Sequence, residues 1–80
     1  MNPDLKVEAH SRYIQQQLTL ATTWTVISPI QYPNCTIYLT QIRSTVLSQP
    51  TKVQATKEFI DPYTLQIIFT EPCLGFVVVN

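Results

Sequence analysis

The sequence predicts an all-β fold, a small β-sandwich or open barrel of about five or six strands. Three observations predict it. Apolar and polar residues alternate with period two over several stretches. Those stretches are rich in β-branched and aromatic residues, and proline-bearing turns separate them at short intervals. The 80-residue chain reads as one domain, with an N-terminal arm over residues 1–17 and a β domain over residues 18–80.

Residues 1–7 show no periodicity and read as a polar arm that orders against a neighbour. Glu8 to Gln17 supports two readings. The spacing of Tyr13, Ile14 and Leu18 suits a short helix, an extended arm suits the segment equally, and no cap decides between them. From Leu18 the pattern turns to period two, with Leu18, Leu20, Trp24 and Val26 on one face and Thr19, Thr23 and Thr25 on the other. Ser28-Pro29 and Tyr32-Pro33-Asn34 end this strand, because proline has no N–H for a ladder.

Cys35, Ile37 and Leu39 then alternate with Thr36, Tyr38 and Thr40 as a second strand. Val46-Leu47 starts a third element that Ser48-Gln49-Pro50 closes. Val53, Ala55 and Phe59 mark one face of a strand across Lys52 to Phe59. Asp61-Pro62-Tyr63 is a turn: proline presets φ and the aspartate accepts from following amides. Leu65, Ile67 and Phe69 against Thr64, Gln66 and Thr70 form the clearest strand, which Glu71-Pro72-Cys73-Leu74-Gly75 interrupts. Phe76 to Val79 is continuously apolar and reads as a strand covered on both faces. Gly75, the only glycine, marks either a positive φ or a close backbone approach.

Composition bears on function. A chain this short buries only about 60–65% of its unfolded surface, so partner subunits are the expected supplement. Charged residues make up 12% of the chain, against about 25% in an average soluble domain. With a formal net charge of zero, little repels close approach between copies. Nucleic acid is not an expected partner, since Lys6, Arg12, Arg43, Lys52 and Lys57 are scattered rather than striped. No apolar run reaches the roughly 20 residues of a membrane helix. The N-terminus lacks the layout of a secretory signal, so the chain is expected to fold in a cytosol.

No catalytic, metal-binding or cofactor-binding residues are expected, and the chain does not read as an enzyme. His10 is the only histidine and reads as a solvated surface residue, with no second histidine to complete a metal site. Asp61 and Glu71 stand at opposite ends of one strand, more than about 25 Å apart if it is straight. Cys35 and Cys73 allow one long-range disulfide, although two reduced, buried thiols are preferred. Asn34-Cys35-Thr36 matches a glycosylation acceptor but follows no secretory signal. Trp24 reads as core ahead of a sugar-stacking platform. Tyr32, Tyr38 and Tyr63 are the candidate interface residues, because each offers apolar area and one hydrogen bond.

Three stretches carry a family resemblance over roughly residues 15–80. Ala21-Thr22-Thr23-Trp24-Thr25-Val26 looks like an opening strand with a Thr-Trp-Thr core. Tyr32-Pro33-Asn34-Cys35-Thr36-Ile37 resembles a Tyr-Pro turn entering a second strand. The run from Asp61 to Val79 is similar to a closing hairpin with Phe-x-x-Pro-x-x-Gly and a valine-rich last strand. Together they resemble a small β-rich module of bacteriophage virion proteins, both capsid-associated and tail-fibre-associated. Two departures stand out. Ser28-Pro29-Ile30-Gln31 replaces the module's His-Asn-Leu-Gly, and Gln41 to Pro50 replaces its glycine-containing turn.

The resemblance implies a virion structural protein assembled in the host cytoplasm. Its expected role is a capsid decoration or cement subunit, with a tail fibre, adaptor or host-recognition component as the alternative. The implied partners are major capsid or tail proteins and further copies of the chain, a trimer being among the states allowed. A standalone sugar- or peptide-binding module is a third reading.

Overall fold

The computed structural model describes residues 13–80. Its strands are β1 (Tyr13–Ile27), β2 (Cys35–Ile42), β3 (Thr45–Val53), β4 (Thr56–Asp61) and β5 (Thr64–Val79). All pairings are antiparallel and all five strands belong to one sheet. The described residues are all-β, as the alternation predicts. Tyr13–Gln17, which the sequence leaves between helix and extended arm, is strand, paired with Val79 to Gly75. The sheet thus already includes Tyr13–Gln17, which the expected boundary at Leu18 left outside it. His10 and the rest of the arm lie outside the described residues.

β5 is the central strand. β1 follows one side of it throughout, from Tyr13 opposite Val79 to Ile27 opposite Thr64. The other side is shared. β4 pairs with the first part of β5, β2 pairs with the last part, and β3 adds on beyond β2. Between these parts the β1–β5 ladder shifts register twice, leaving Leu18 to Leu20 unmatched on β1 and Phe69 to Pro72 unmatched on β5. Bulges of this kind bend and twist a strand.

The sheet turns over on itself at this corner, and Gln15 demonstrates it. Its side-chain amide donates to the Thr25 carbonyl and accepts from the Ile27 N–H. Ten residues of straight strand would separate those groups by roughly 33 Å. On the far side, Lys57 Nζ donates to the Cys35 carbonyl at 3.1 Å. The two halves therefore lie face to face in a sandwich-like arrangement. Trp24, Val26, Leu65 and Ile67 from one half meet Ile37, Leu39, Cys73, Val77 and Val79 from the other.

The corner corrects the expected face of β1. Trp24 is 1% exposed, but Leu18 and Leu20, read as its companions, are 78% and 44% exposed. Before the corner the inward positions are odd-numbered, with Gln15 and Gln17 opposite buried Val77 and Gly75; after it they are even-numbered, Trp24 and Val26. A bulge that adds an odd number of residues swaps the faces, which a uniform period cannot anticipate.

Three other boundaries differ from expectation. Pro50 does not end the third strand: it lies within β3, where Leu47 to Pro50 stand opposite Thr40 alone. An edge strand tolerates this because the missing N–H owes nothing to a further neighbour. The strand read across Lys52 to Phe59 is two strands, since the chain leaves β2 after Val53 and rejoins β5 at Thr56. Glu71 to Gly75 does not interrupt the last strand, because β5 bends through it unbroken. Its closing stretch is covered on one face: Val77 and Val79 are buried, while Phe76 and Val78 stay half-buried.

Gly75 is present because another backbone approaches closely. Its φ is not positive. A Cβ there would run into the Tyr38 carbonyl oxygen and sit 2.9 Å from Leu39 Cα. Backbone cannot move aside as a flexible side chain can. Gly75→Ala is therefore expected to cost about 2–3 kcal/mol, read as a lower urea midpoint with an unchanged m-value.

Candidate interaction surface

The loop between β1 and β2 and the β4–β5 turn meet at one end of the molecule. Asp61 Oδ1 accepts from the Tyr63 N–H at 2.8 Å, closing the Asp-Pro-Tyr turn as its sequence predicts. That turn holds the neighbouring loop. The Ser28 N–H donates to the Tyr63 carbonyl and the Tyr32 N–H to the Pro62 carbonyl, both at 2.8 Å. Ser28 is buried, and its Oγ accepts from the Ile30 N–H at 3.0 Å.

These bonds place two of the three candidate tyrosines side by side. Tyr32 is held at φ 45°, a conformation that costs an aromatic residue energy and that the loop's hydrogen bonds enforce. Its ring is 61% exposed and meets Phe59 edge to face at 5.0 Å. Tyr63 is 44% exposed, and its hydroxyl accepts from Gln31 Nε2 at 3.1 Å. Ile27, Ile30 and Ile60 are exposed on the same segments. Tyr38 lies elsewhere, half-buried and stacked on Phe76 at 5.1 Å, with Lys52 opposite it on β3.

Sequence reasoning missed Phe59 and the three isoleucines as surface residues. Phe59 does occupy an inward position, opposite Leu65. It is exposed only because β4 is an edge.

The remaining candidates have structural roles. Trp24 is sealed in the core, its indole N–H donating to the Cys73 carbonyl at 3.2 Å and its ring tilted against Phe69 at 4.7 Å. It offers no face to a sugar. Glu71 Oε1 pairs with Arg43 Nε at 2.7 Å, but both side chains are well exposed and such a pair adds at most about 1 kcal/mol. Among the described residues no group of three or more His, Cys, Asp or Glu side chains is placed to hold a metal. An open cleft of about 370 Å³ lies between the halves, lined mainly by apolar groups such as Leu39, Val53, Ala55 and Phe69. Its ionisable lining groups are Glu71 and Cys73.

Cys35 and Cys73 are both free thiols. On the β2–β5 ladder Cys35 stands opposite Val79 and Cys73 opposite Ile42. Seven residues of strand separate those rungs, roughly 23 Å, so a disulfide is excluded. Burial raises both thiol pKa values above the ordinary 9.0, opposed at Cys35 by Lys57 and reinforced at Cys73 by Glu71.

What distinguishes the surface is its apolar content. Among the described residues, nine hydrophobic residues form the buried core, whereas twelve large hydrophobics are exposed. Charge is also unevenly placed. From Tyr13 to Ile42 there is no ionisable acid or base other than thiol and phenol; among the described residues the charges begin at Arg43. No protein-family model, curated protein or solved structure matches this chain.

The thiols generate a prediction with a definite sign. A folded-state pKa raised above the unfolded value contributes stability that is complete below the unfolded pKa and is lost as pH rises. Stability should therefore fall above pH ~9, and less steeply in Cys73→Ala once each curve is normalised to its own value at pH 7. Reductant should leave the thermal midpoint unchanged. Thermal melts from pH 7 to 11, with and without reductant, check both.

Proposed function

We propose that this chain is a structural subunit of a larger protein assembly, and that the assembly is a viral particle in which it serves as a capsid decoration or cement subunit. The observation that carries the reading is the surplus of exposed large hydrophobics over buried ones on so small a sheet. Apolar groups left in contiguous patches on a monomer mark surfaces that other proteins cover. The virion as setting rests on the resemblance of the Trp24, Tyr32-Pro33 and Asp61–Val79 stretches to phage virion modules.

The aromatic end suits docking. Tyr32, Phe59 and Tyr63 hold their positions through backbone hydrogen bonds and ring contact before any partner arrives. Little side-chain freedom is then lost on binding, and repeated copies on a shell would add avidity. A tail location uses the same surface and differs in which structural protein the chain accompanies.

Quantitative mass spectrometry of particles from a virus encoding this chain tests the proposal. The expected result is a fixed stoichiometry to the major shell protein. A fixed ratio to a tail protein instead moves the subunit to the tail, and absence from intact particles sinks the reading. Tyr32→Gly removes the exposed ring and suits the positive φ, so folding is kept. It should lower incorporation at least tenfold.

A further inference from the structure

Among the described residues the sheet has three edges, and they are not alike. Unpaired edges invite another strand, and proteins blunt them with charge, proline, bulges or short length. β3 carries Lys52, Pro50 and the bulge opposite Thr40. β4 is only 6 residues long and carries Lys57 and Glu58. β1 is 15 residues long and has neither charge nor proline. Its second half is plugged from within, because the Gln15 amide occupies the Thr25 carbonyl and the Ile27 N–H. Its first half is regular, pairs residue for residue with β5 from Tyr13 to Gln17, and among the described residues has no neighbour on its other side.

The side chains from Ile14 to Gln17, with Leu18 at the start of the bulge, read Ile14-Gln15-Gln16-Gln17-Leu18, nearly the same in both directions about Gln16. A strand that meets a second copy of itself antiparallel, across a two-fold axis, needs that symmetry. We propose that two copies of this chain pair through the first half of β1, antiparallel and centred on Gln16. Ile14 then stands opposite Leu18 of the second copy, and Gln15 opposite its Gln17. Ile14 and Leu18 are 56% and 78% exposed in the single chain. Across the axis each covers the other on the outward face, next to Phe76 and Val78 of β5.

Charge selects the occupant. An acidic or basic partner strand finds no counter-charge between Tyr13 and Ile42, whereas two uncharged copies meet without repulsion. The pairing deepens the assembly reading by naming one partner, the chain itself, and one register. An isologous contact of this kind closes at two copies and does not propagate into fibres.

Gln16 is exposed and lies on the axis, so a single change places two identical groups against each other. The experiment is sedimentation equilibrium of the full chain over a wide concentration range. Measurements cover the wild type, Gln16→Lys, Gln16→Glu and an equimolar mixture of the two variants, with circular dichroism confirming the fold of each. The expected species for wild type has twice the 9.2 kDa chain mass. Each variant alone should dissociate at least tenfold more readily, and the mixture should recover the dimer through opposite charges across the axis.

A wild type that stays monomeric overturns the proposal, whatever other strand the edge then accepts. Variants that dimerise as well as wild type, or a mixture that fails to recover, also overturn it and assign any dimer to another surface. None of these outcomes bears on incorporation into particles, so the assembly reading stands or falls separately.

Discussion

One strand has to serve two layers, and the rest of the molecule is arranged around that constraint. β5 pairs with β4 over its first part and with β2 over its last, so it must bend where the partners change. Bending a strand breaks its ladder and threatens to leave carbonyls buried without donors. Here three successive carbonyls each find one. Glu71 O accepts from the Cys73 thiol at 3.1 Å, Pro72 O from the Arg43 N–H at 2.9 Å, and Cys73 O from the Trp24 indole at 3.2 Å. The donors come from β1, from the β2–β3 hairpin and from β5 itself, so the corner ties the sheet together while it bends it.

The same fold-over sets the limits of the core. Two small layers of one sheet enclose nine buried hydrophobics, and the cover ends where the strands end. Phe59 faces inward and still meets solvent because β4 is an edge. Phe76 and Val78 face outward and stay half-buried. Polar side chains stitch the open sides instead: Gln15 across the β1 side, Lys57 across to Cys35. An exposed apolar surface thus follows from the size of the fold.

Much of this was legible in the residues. β2 and the first part of β5 have their predicted alternation, the Asp61-Pro62-Tyr63 turn forms with the expected aspartate bond, and Gly75 has the second of its two expected causes, a close backbone approach. Trp24 is core. The candidate surface was half legible: Tyr32 and Tyr63 were singled out, but their meeting with Phe59 depends on hydrogen bonds between segments some thirty residues apart. Tyr38 shares no surface with them, because β2 turns it onto Phe76. Four of the misread positions share one cause. Leu18, Leu20, Pro50 and Pro72 all lie in or beside bulges, where period and punctuation lose their usual meaning.

By itself the sequence determined that the described chain is β-structured, where most strands lie, and that few charges cover it. Those are local properties, set by side-chain shape, alternation and composition. Only the tertiary structure decided that one long strand would bend rather than break, which residues of β1 would face inward on either side of that bend, and which edge would be left bare. Each of these depends on pairing between distant segments, and a register shift of a single residue reverses the outcome.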